Sequence, residues 1–162
     1  MSLNVVGVLL WGFAATVVLT VFMYLCQWQG WSRMSLPFML GTMVTPSRDR
    51  ANYLGIAFHL LVGWSLAAIY ALAFESWGLA TWWAGLAIGL VHGLYVVAVL
   101  MPMLPYVHPR MANEHDGPDP TRMLEPPGFM GLNYGRRTPI ITLAAHLLYG
   151  GILGAFYRLS GG

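Results

Sequence analysis

The composition excludes a soluble domain with a water-covered surface. Of the 162 residues, 57% are hydrophobic and 9% are charged, whereas soluble domains carry about 25% charged residues. The net charge of +2, with no arginine cluster on an amphipathic helix, excludes a nucleic-acid-binding surface. Cys26 is the only cysteine, which excludes an intrachain disulfide and a cysteine-based zinc site.

Hydrophobic stretches predict four membrane-spanning helices, because about 20 apolar residues cross a bilayer core. The predicted spans lie at about 3–26, 53–74, 79–104 and 138–157. The first stretch lacks the positive n-region and the cleavage site of a signal peptide, so it is interpreted as a retained span. The length suits a single domain. We therefore predict an all-α integral membrane four-helix bundle with two long loops, 27–52 and 105–137.

The distribution of arginine predicts the orientation of the chain. Seven of the eight basic residues lie in or beside the two long loops, and only Arg158 lies on the opposite side. Positive residues are enriched in cytoplasmic loops of membrane proteins. We therefore expect both long loops to be cytoplasmic and both termini to lie outside.

The second and fourth spans share a sequence pattern. His59-Leu60-Leu61-Val62-Gly63 matches His146-Leu147-Leu148-Tyr149-Gly150 at an offset of 87 residues (59 to 146). Arg50 and Arg137 are also separated by 87 residues, and each precedes the histidine of its own span. The match predicts two repeated two-helix hairpins, related by an axis along the membrane normal. In that arrangement His59 and His146 would face each other across a pseudo-twofold.

Glycines spaced four residues apart form stripes along the predicted spans. Residues four apart share one face of a helix, and small residues line helix contacts in membranes because they let backbones approach closely. The predicted helix-packing positions are Gly63, Gly85, Gly89, Gly93, Gly150 and Gly154.

These motifs carry a resemblance to a group of known proteins. They are Gly12-Phe13-Ala14-Ala15-Thr16, His59 with Gly63, Gly89 with His92-Gly93, and His146 with Tyr149-Gly150 and Gly154. The pattern resembles small bacterial four-span membrane proteins of unknown function. The resemblance implies the fold and a location in the bacterial inner membrane, covers most of the chain outside the 105–137 loop, and supplies no activity.

Three histidines in the predicted spans form the first candidate site: His59, His92 and His146. Ionisable groups inside a membrane are costly, so they often mark a function. The group could bind a haem b or a transition metal as a cofactor, or relay protons. Alternatively, each histidine is neutral and makes one hydrogen bond between helices. The spans contain no carboxylate to compensate a charged metal, which favours the structural interpretation.

The loop 105–137 holds the second candidate site. His108, His115, Asp116 and Asp119 are possible metal ligands close together in sequence. The alternating acidic residues and the closing glutamate of an EF-hand are missing. The alternative is a solvated turn. A loop of more than about 15 residues is often functional or disordered.

The predicted spans contain few polar groups that could converge in an active site, which disfavours an enzyme. The leading hypothesis is a small accessory or assembly subunit of a larger bacterial membrane complex, respiratory or photosynthetic. The partners would be the lipid bilayer and other membrane subunits, or a second copy of the chain. The first alternative is a haem- or metal-binding redox protein that uses the intramembrane histidines. The second is an oligomeric pathway for protons or small molecules.

Overall fold

The structure is a computed structural model that describes residues 2–160, and this part of the chain is helical with no β-strand. The α-helices are α1 (Val5–Trp28), α2 (Leu36–Val44), α3 (Arg48–Trp77), α4 (Trp82–Tyr95), α5 (Met101–Val107) and α6 (Thr138–Phe156). A π-helical turn, Val96–Leu100, joins α4 to α5, and a broken 3-10 helix, Phe129–Tyr134, lies in the second long loop.

Four helical stretches are long and apolar enough to cross a membrane. They are α1, α3, the continuous segment Trp82–Val107 and α6, with 24, 30, 26 and 19 residues and mean hydropathies of 2.4, 1.9, 2.1 and 1.6. The predicted fold class, all-α with four membrane-spanning helices, is confirmed. The chain is a multi-pass membrane protein.

The helix ends differ from the predicted span ends by several residues. Helix α3 begins at Arg48, whereas the apolar stretch begins near residue 53. Its first turn is polar and contains Asp49, whose charge suits the positive end of the helix dipole. The third span continues to Val107 although it contains Pro102 and Pro105. The π-helical turn directly before these prolines absorbs the change in hydrogen bonding that proline imposes.

The first long loop contains a helix that was not predicted. Ser35 caps α2 by accepting a hydrogen bond from the amide of Phe38 (3.4 Å). The helix packs against the first turns of α3 through two glycines. A side chain at Gly41 would overlap the main chain of Ala51, and one at Gly55 would overlap the carbonyl of Pro37. Helix α2 has nine residues, too few to span a membrane, so a search for spans does not detect it.

Contacts divide the chain into two compact units. The first contains Met1–Phe22, Leu60–Gly93 and Leu143–Gly162, and within it parts of all four spanning helices pack as a bundle. Trp64 of α3 donates its indole N–H to the carbonyl of Leu9 on α1 (2.8 Å). Trp11 of α1 stacks on Phe156 of α6 with ring centroids 4.6 Å apart.

The second unit contains Met23–His59 and Leu94–Thr142, and it holds the long loop in place. Within it, the amide of Arg33 donates to the carbonyl of Tyr134 (2.7 Å), and the hydroxyls of Ser32 and Thr138 are 2.8 Å apart. An isolated β-bridge pairs Met111, which is fully buried, with Leu124. The loop 105–137 is therefore folded against the helix ends.

Candidate functional site

Glycine faces bring α4 and α6 into close contact in the first unit. Any side chain at Gly85 would overlap the carbonyl oxygen of Gly150, and the reverse also holds. A side chain at Gly89 would overlap the carbonyl of His146. The other three predicted packing glycines also lie at contacts: Gly63 faces Thr16 of α1, Gly93 faces Leu143 and His146, and Gly154 faces Thr81 and Gly85.

This close approach places two of the three predicted histidines side by side. The rings of His92 on α4 and His146 on α6 have centroids 4.5 Å apart and planes inclined at 80°, an edge-to-face contact. Gly89 lies three residues before His92 and Gly93 lies one residue after it, and both glycines face His146. The absence of side chains at these glycines is the physical reason that the two rings meet.

Two tyrosines complete the cluster around these histidines, and neither was predicted as a site residue. The Tyr70 hydroxyl lies 3.1 Å from His92 Nδ1, a hydrogen bond whose direction depends on the histidine tautomer. The Tyr149 hydroxyl donates to the carbonyl of Gly63 (2.6 Å) and its ring packs edge-to-face on Tyr70, with centroids 5.4 Å apart. We call Tyr70, His92, His146 and Tyr149 the Tyr–His cluster. The available sequence signal was the spacing of seven residues between Gly63 and Tyr70, which puts both on one helix face.

The Tyr–His cluster does not fit a haem held between its two histidines. A haem iron between two histidines makes two iron–imidazole bonds of about 2 Å, so the bound ring nitrogens lie roughly 4 Å apart. The ring centres must then be further apart than the nitrogens, because each centre lies one ring radius behind its bound nitrogen. Ring centres 4.5 Å apart in edge contact leave no room for the porphyrin plane. Among residues 2–160, no group of three or more His, Cys, Asp or Glu side chains could hold a metal ion.

His59 is buried and belongs to the second unit, whereas His146 belongs to the first. The predicted pairing of His59 with His146 across a pseudo-twofold stays a prediction. The histidine that contacts His146 within its own unit is His92.

His108, predicted as a metal ligand, is instead a buried link between the second loop and α2. Its Nε2 donates to the carbonyl of Met39 (3.0 Å) and lies 3.3 Å from the Thr42 hydroxyl. Its Nδ1 accepts a hydrogen bond from the amide of Arg110 (3.1 Å), and the Arg110 guanidinium donates to the carbonyl of Thr42 (2.6 Å). Both ring nitrogens are engaged within the protein.

The other loop residues of that predicted set form a turn at the surface. Asp116 forms an ion pair with Arg122 (3.2 Å). Asp119 accepts hydrogen bonds from the amide and hydroxyl of Thr121 and from the amide of Arg122 (each 2.7 Å). These bonds, those to Thr121 first, hold the pKa of Asp119 below its usual value. The structure therefore does not bring together His108, His115, Asp116 and Asp119 as a set of metal ligands. The polar atoms of His108, Asp116 and Asp119 instead make contacts that hold the loop in its fold.

Because His108 links the loop to α2, we expect the loop to be less stable at low pH. Burial first, and the charge of Arg110, lower the pKa of His108 below its usual 6.5. The unfolded chain therefore binds a proton at a higher pH than the folded chain does. Stability is retained above about pH 6.5 and falls as the pH decreases below that value. Amide hydrogen exchange across 108–137 should accelerate between pH 7.5 and pH 5.5, after correction for the intrinsic rate.

The matched control is His115→Gln, which removes an exposed histidine of the same loop and should keep the acid response. His108→Gln should lose the response while retaining a group that donates to Met39. An unchanged acid response in His108→Gln would assign it to another group.

Comparisons with known proteins found nothing similar. The chain matches no protein-family model, no curated protein and no solved structure. Any functional statement therefore rests on the residues and contacts of the chain.

Proposed function

We propose that the protein is an accessory or assembly subunit of a larger bacterial membrane complex, of the respiratory or photosynthetic kind. The observation that supports this function is an apolar groove of about 520 Å³ on the first unit. Helices α1, α4 and α6 form it. Its lining residues are Phe22, Leu86, Ala144, Leu147, Leu148, Gly151, Ile152 and Phe156.

The groove has the form expected of a site for a spanning helix from another subunit. Ala144 and Gly151 are seven residues apart on one face of α6, where small side chains permit close approach. Phe22 and Phe156 supply bulky walls. The adjacent Gly150 faces α4 within the chain, so α6 has small residues on two faces. One face serves the fold, and the other is available to a partner.

A photo-crosslinking amino acid at Leu148 tests this docking function. We expect it to crosslink, in the native host, to a defined larger membrane protein, because the groove would hold a helix of that protein. The measurement is mass-spectrometric identification of the adduct. The matched control is the same residue at Val91 on α4, which is 67% exposed and lies outside the groove lining. Adducts only with lipid or with this chain at Leu148, or the same protein adduct at Val91, would contradict the proposal.

The proposed location is the bacterial inner membrane, with both long loops in the cytoplasm. The concentration of arginine in and beside these loops supports this orientation. A reporter active only in the cytoplasm should work when inserted at Gly117, which has open space around it, and fail at the C-terminus. The opposite result would reverse the orientation.

A second candidate function is an oligomeric proton pathway, and the Tyr–His cluster favours it. Tyr70, His92 and His146 place groups that exchange protons side by side between apolar helices. The redox alternative requires a cofactor, and an optical spectrum with metal analysis of the purified protein tests it. A haem absorption band or stoichiometric metal would favour the redox function over both others.

A further inference from the structure

The second loop presents an aromatic side chain outward on a constrained turn. Phe129 is 69% exposed and lies between Gly128 and Met130, both of which have positive φ (69° and 55°). A left-handed conformation at a non-glycine residue such as Met130 costs free energy, and it persists only where the surroundings enforce it. Gly131 continues the left-handed run with a φ of 78°.

Hydrogen bonds enforce this conformation. The amide of Gly131 donates to the carbonyl of Gly128 (3.2 Å). Asn133 donates its main-chain amide to Pro127 (3.0 Å) and its side-chain amide to Pro126 (3.0 Å). The Arg33 guanidinium in turn donates to the carbonyl of Asn133. Phe129 is therefore held outward by a fixed turn.

The turn lies level with the ends of the spanning helices in its unit. A Cβ atom at Gly131 would meet the Met101 sulfur at 2.7 Å and the Thr138 methyl at 3.1 Å. Thr138 is the first residue of α6. Met101 lies six residues before Val107, so it is about 9 Å inside the end of its spanning segment. A turn at this depth of the spanning segment would adjoin the interfacial layer of the bilayer.

Arginine accompanies the exposed apolar side chains at this level. Arg136 and Arg137 are exposed and directly precede α6, and the Arg137 guanidinium lies 5.3 Å from the ring centroid of Trp31. Glu125 is the one acidic residue in 28–34 and 125–138, and it is ion-paired with Arg33 (3.0 Å). Three arginines against one glutamate leave these segments positively charged, which complements anionic headgroups.

We propose that this edge of the protein binds anionic phospholipid. Phe129 and Leu132, which is 45% exposed, insert into the interfacial layer. Arg136 and Arg137 bind the phosphate of the headgroup, and Trp31 anchors the same level, as aromatic residues do at membrane interfaces. The loop then lies along the membrane surface, independently of whether the groove on the first unit binds a partner.

Spin-label accessibility tests the insertion of the turn. In a Cys26→Ala background, nitroxide labels are placed at Phe129→Cys and at the control Gly117→Cys, in vesicles of phosphatidylcholine and phosphatidylglycerol. We expect the ratio of oxygen to nickel-chelate collisions to be several-fold higher at position 129. Equal ratios would show that the turn faces water, and protection from both reagents would show a protein cover. Either result overturns the proposal, and Leu132→Cys provides a second label position if Phe129→Cys fails to fold.

Thermal unfolding in vesicles tests the headgroup contact. Phosphatidylglycerol should raise the unfolding temperature relative to phosphatidylcholine alone, and Arg136→Gln with Arg137→Gln should remove most of that rise. The matched control is Arg48→Gln with Arg50→Gln, which removes two exposed arginines at the start of α3 and should retain most of the rise. An equal loss in both double variants would indicate nonspecific attraction and overturn the site.

Discussion

Replacement of Gly150 by leucine is expected to destabilise the protein by about 3 kcal/mol or more, beyond the usual cost of overpacking a core. A Cβ atom at residue 150 would overlap the carbonyl oxygen of Gly85. The obstacle is main chain, so it cannot rotate away as a flexible side chain could. Helices α4 and α6 must separate, and the midpoint of unfolding in detergent should fall sharply. Gly89→Leu meets the carbonyl of His146 and should behave similarly.

Two control variants test whether the loss of stability is specific to the contact between α4 and α6. Gly117→Leu adds the same side chain to a loop position with open space, and surface substitutions cost about 0.5 kcal/mol or less. Leu100→Ala, near the end of the third span and 41% exposed, should also have a small effect. If Gly150→Leu unfolds at the same midpoint as the two control variants, the close approach of α4 and α6 is incorrect.

Alanine substitutions of His92 and His146 are expected to be non-additive. Each single change should cost about 1–3 kcal/mol, because it removes one ring from an edge-to-face contact within the bundle. The double variant should cost less than the sum, with a coupling of about 0.5–3 kcal/mol, since contacting residues share an interaction that can be lost only once. The measurement is the free energy of unfolding in detergent for the four proteins of the cycle.

A second cycle, on His59 and His146, tests the pseudo-twofold hypothesis from the repeat. Coupling there would support a direct pair, whereas costs that add within about 0.5 kcal/mol would not.

Tyr70→Phe is a milder reference for the cycle on His92 and His146, because it keeps the ring and removes one hydrogen bond, worth about 0.6 kcal/mol on average in membranes. Additive costs for His92 and His146 would contradict their ring contact.

The sequence by itself determined the fold class. Four long apolar stretches without internal charge have one stable solution in a bilayer, because every backbone polar group must be satisfied within its own helix. The same principle explains the errors at the helix ends. Hydrophobicity marks where lipid begins, but the hydrogen bonds of α3 continue through the charged residues Arg48 and Asp49 into the polar layer. Helix α2 carried recognisable start signals, Ser35 and Pro37, yet it was too short to be detected as a span.

Only the tertiary structure decided which side chains meet. Glycine spacing marks the face along which a helix can approach a neighbour, but spacing within one helix gives neither the neighbour nor the relative height of the two helices. Those depend on contacts such as Gly85 with Gly150, which put His92 beside His146 and Tyr70 beside His92. In the loop, the sequence showed that His108 could bind a ligand. Folding against α2 gave Nε2 the carbonyl of Met39, and the turn of the loop gave Nδ1 the amide of Arg110, because a buried polar group requires a partner.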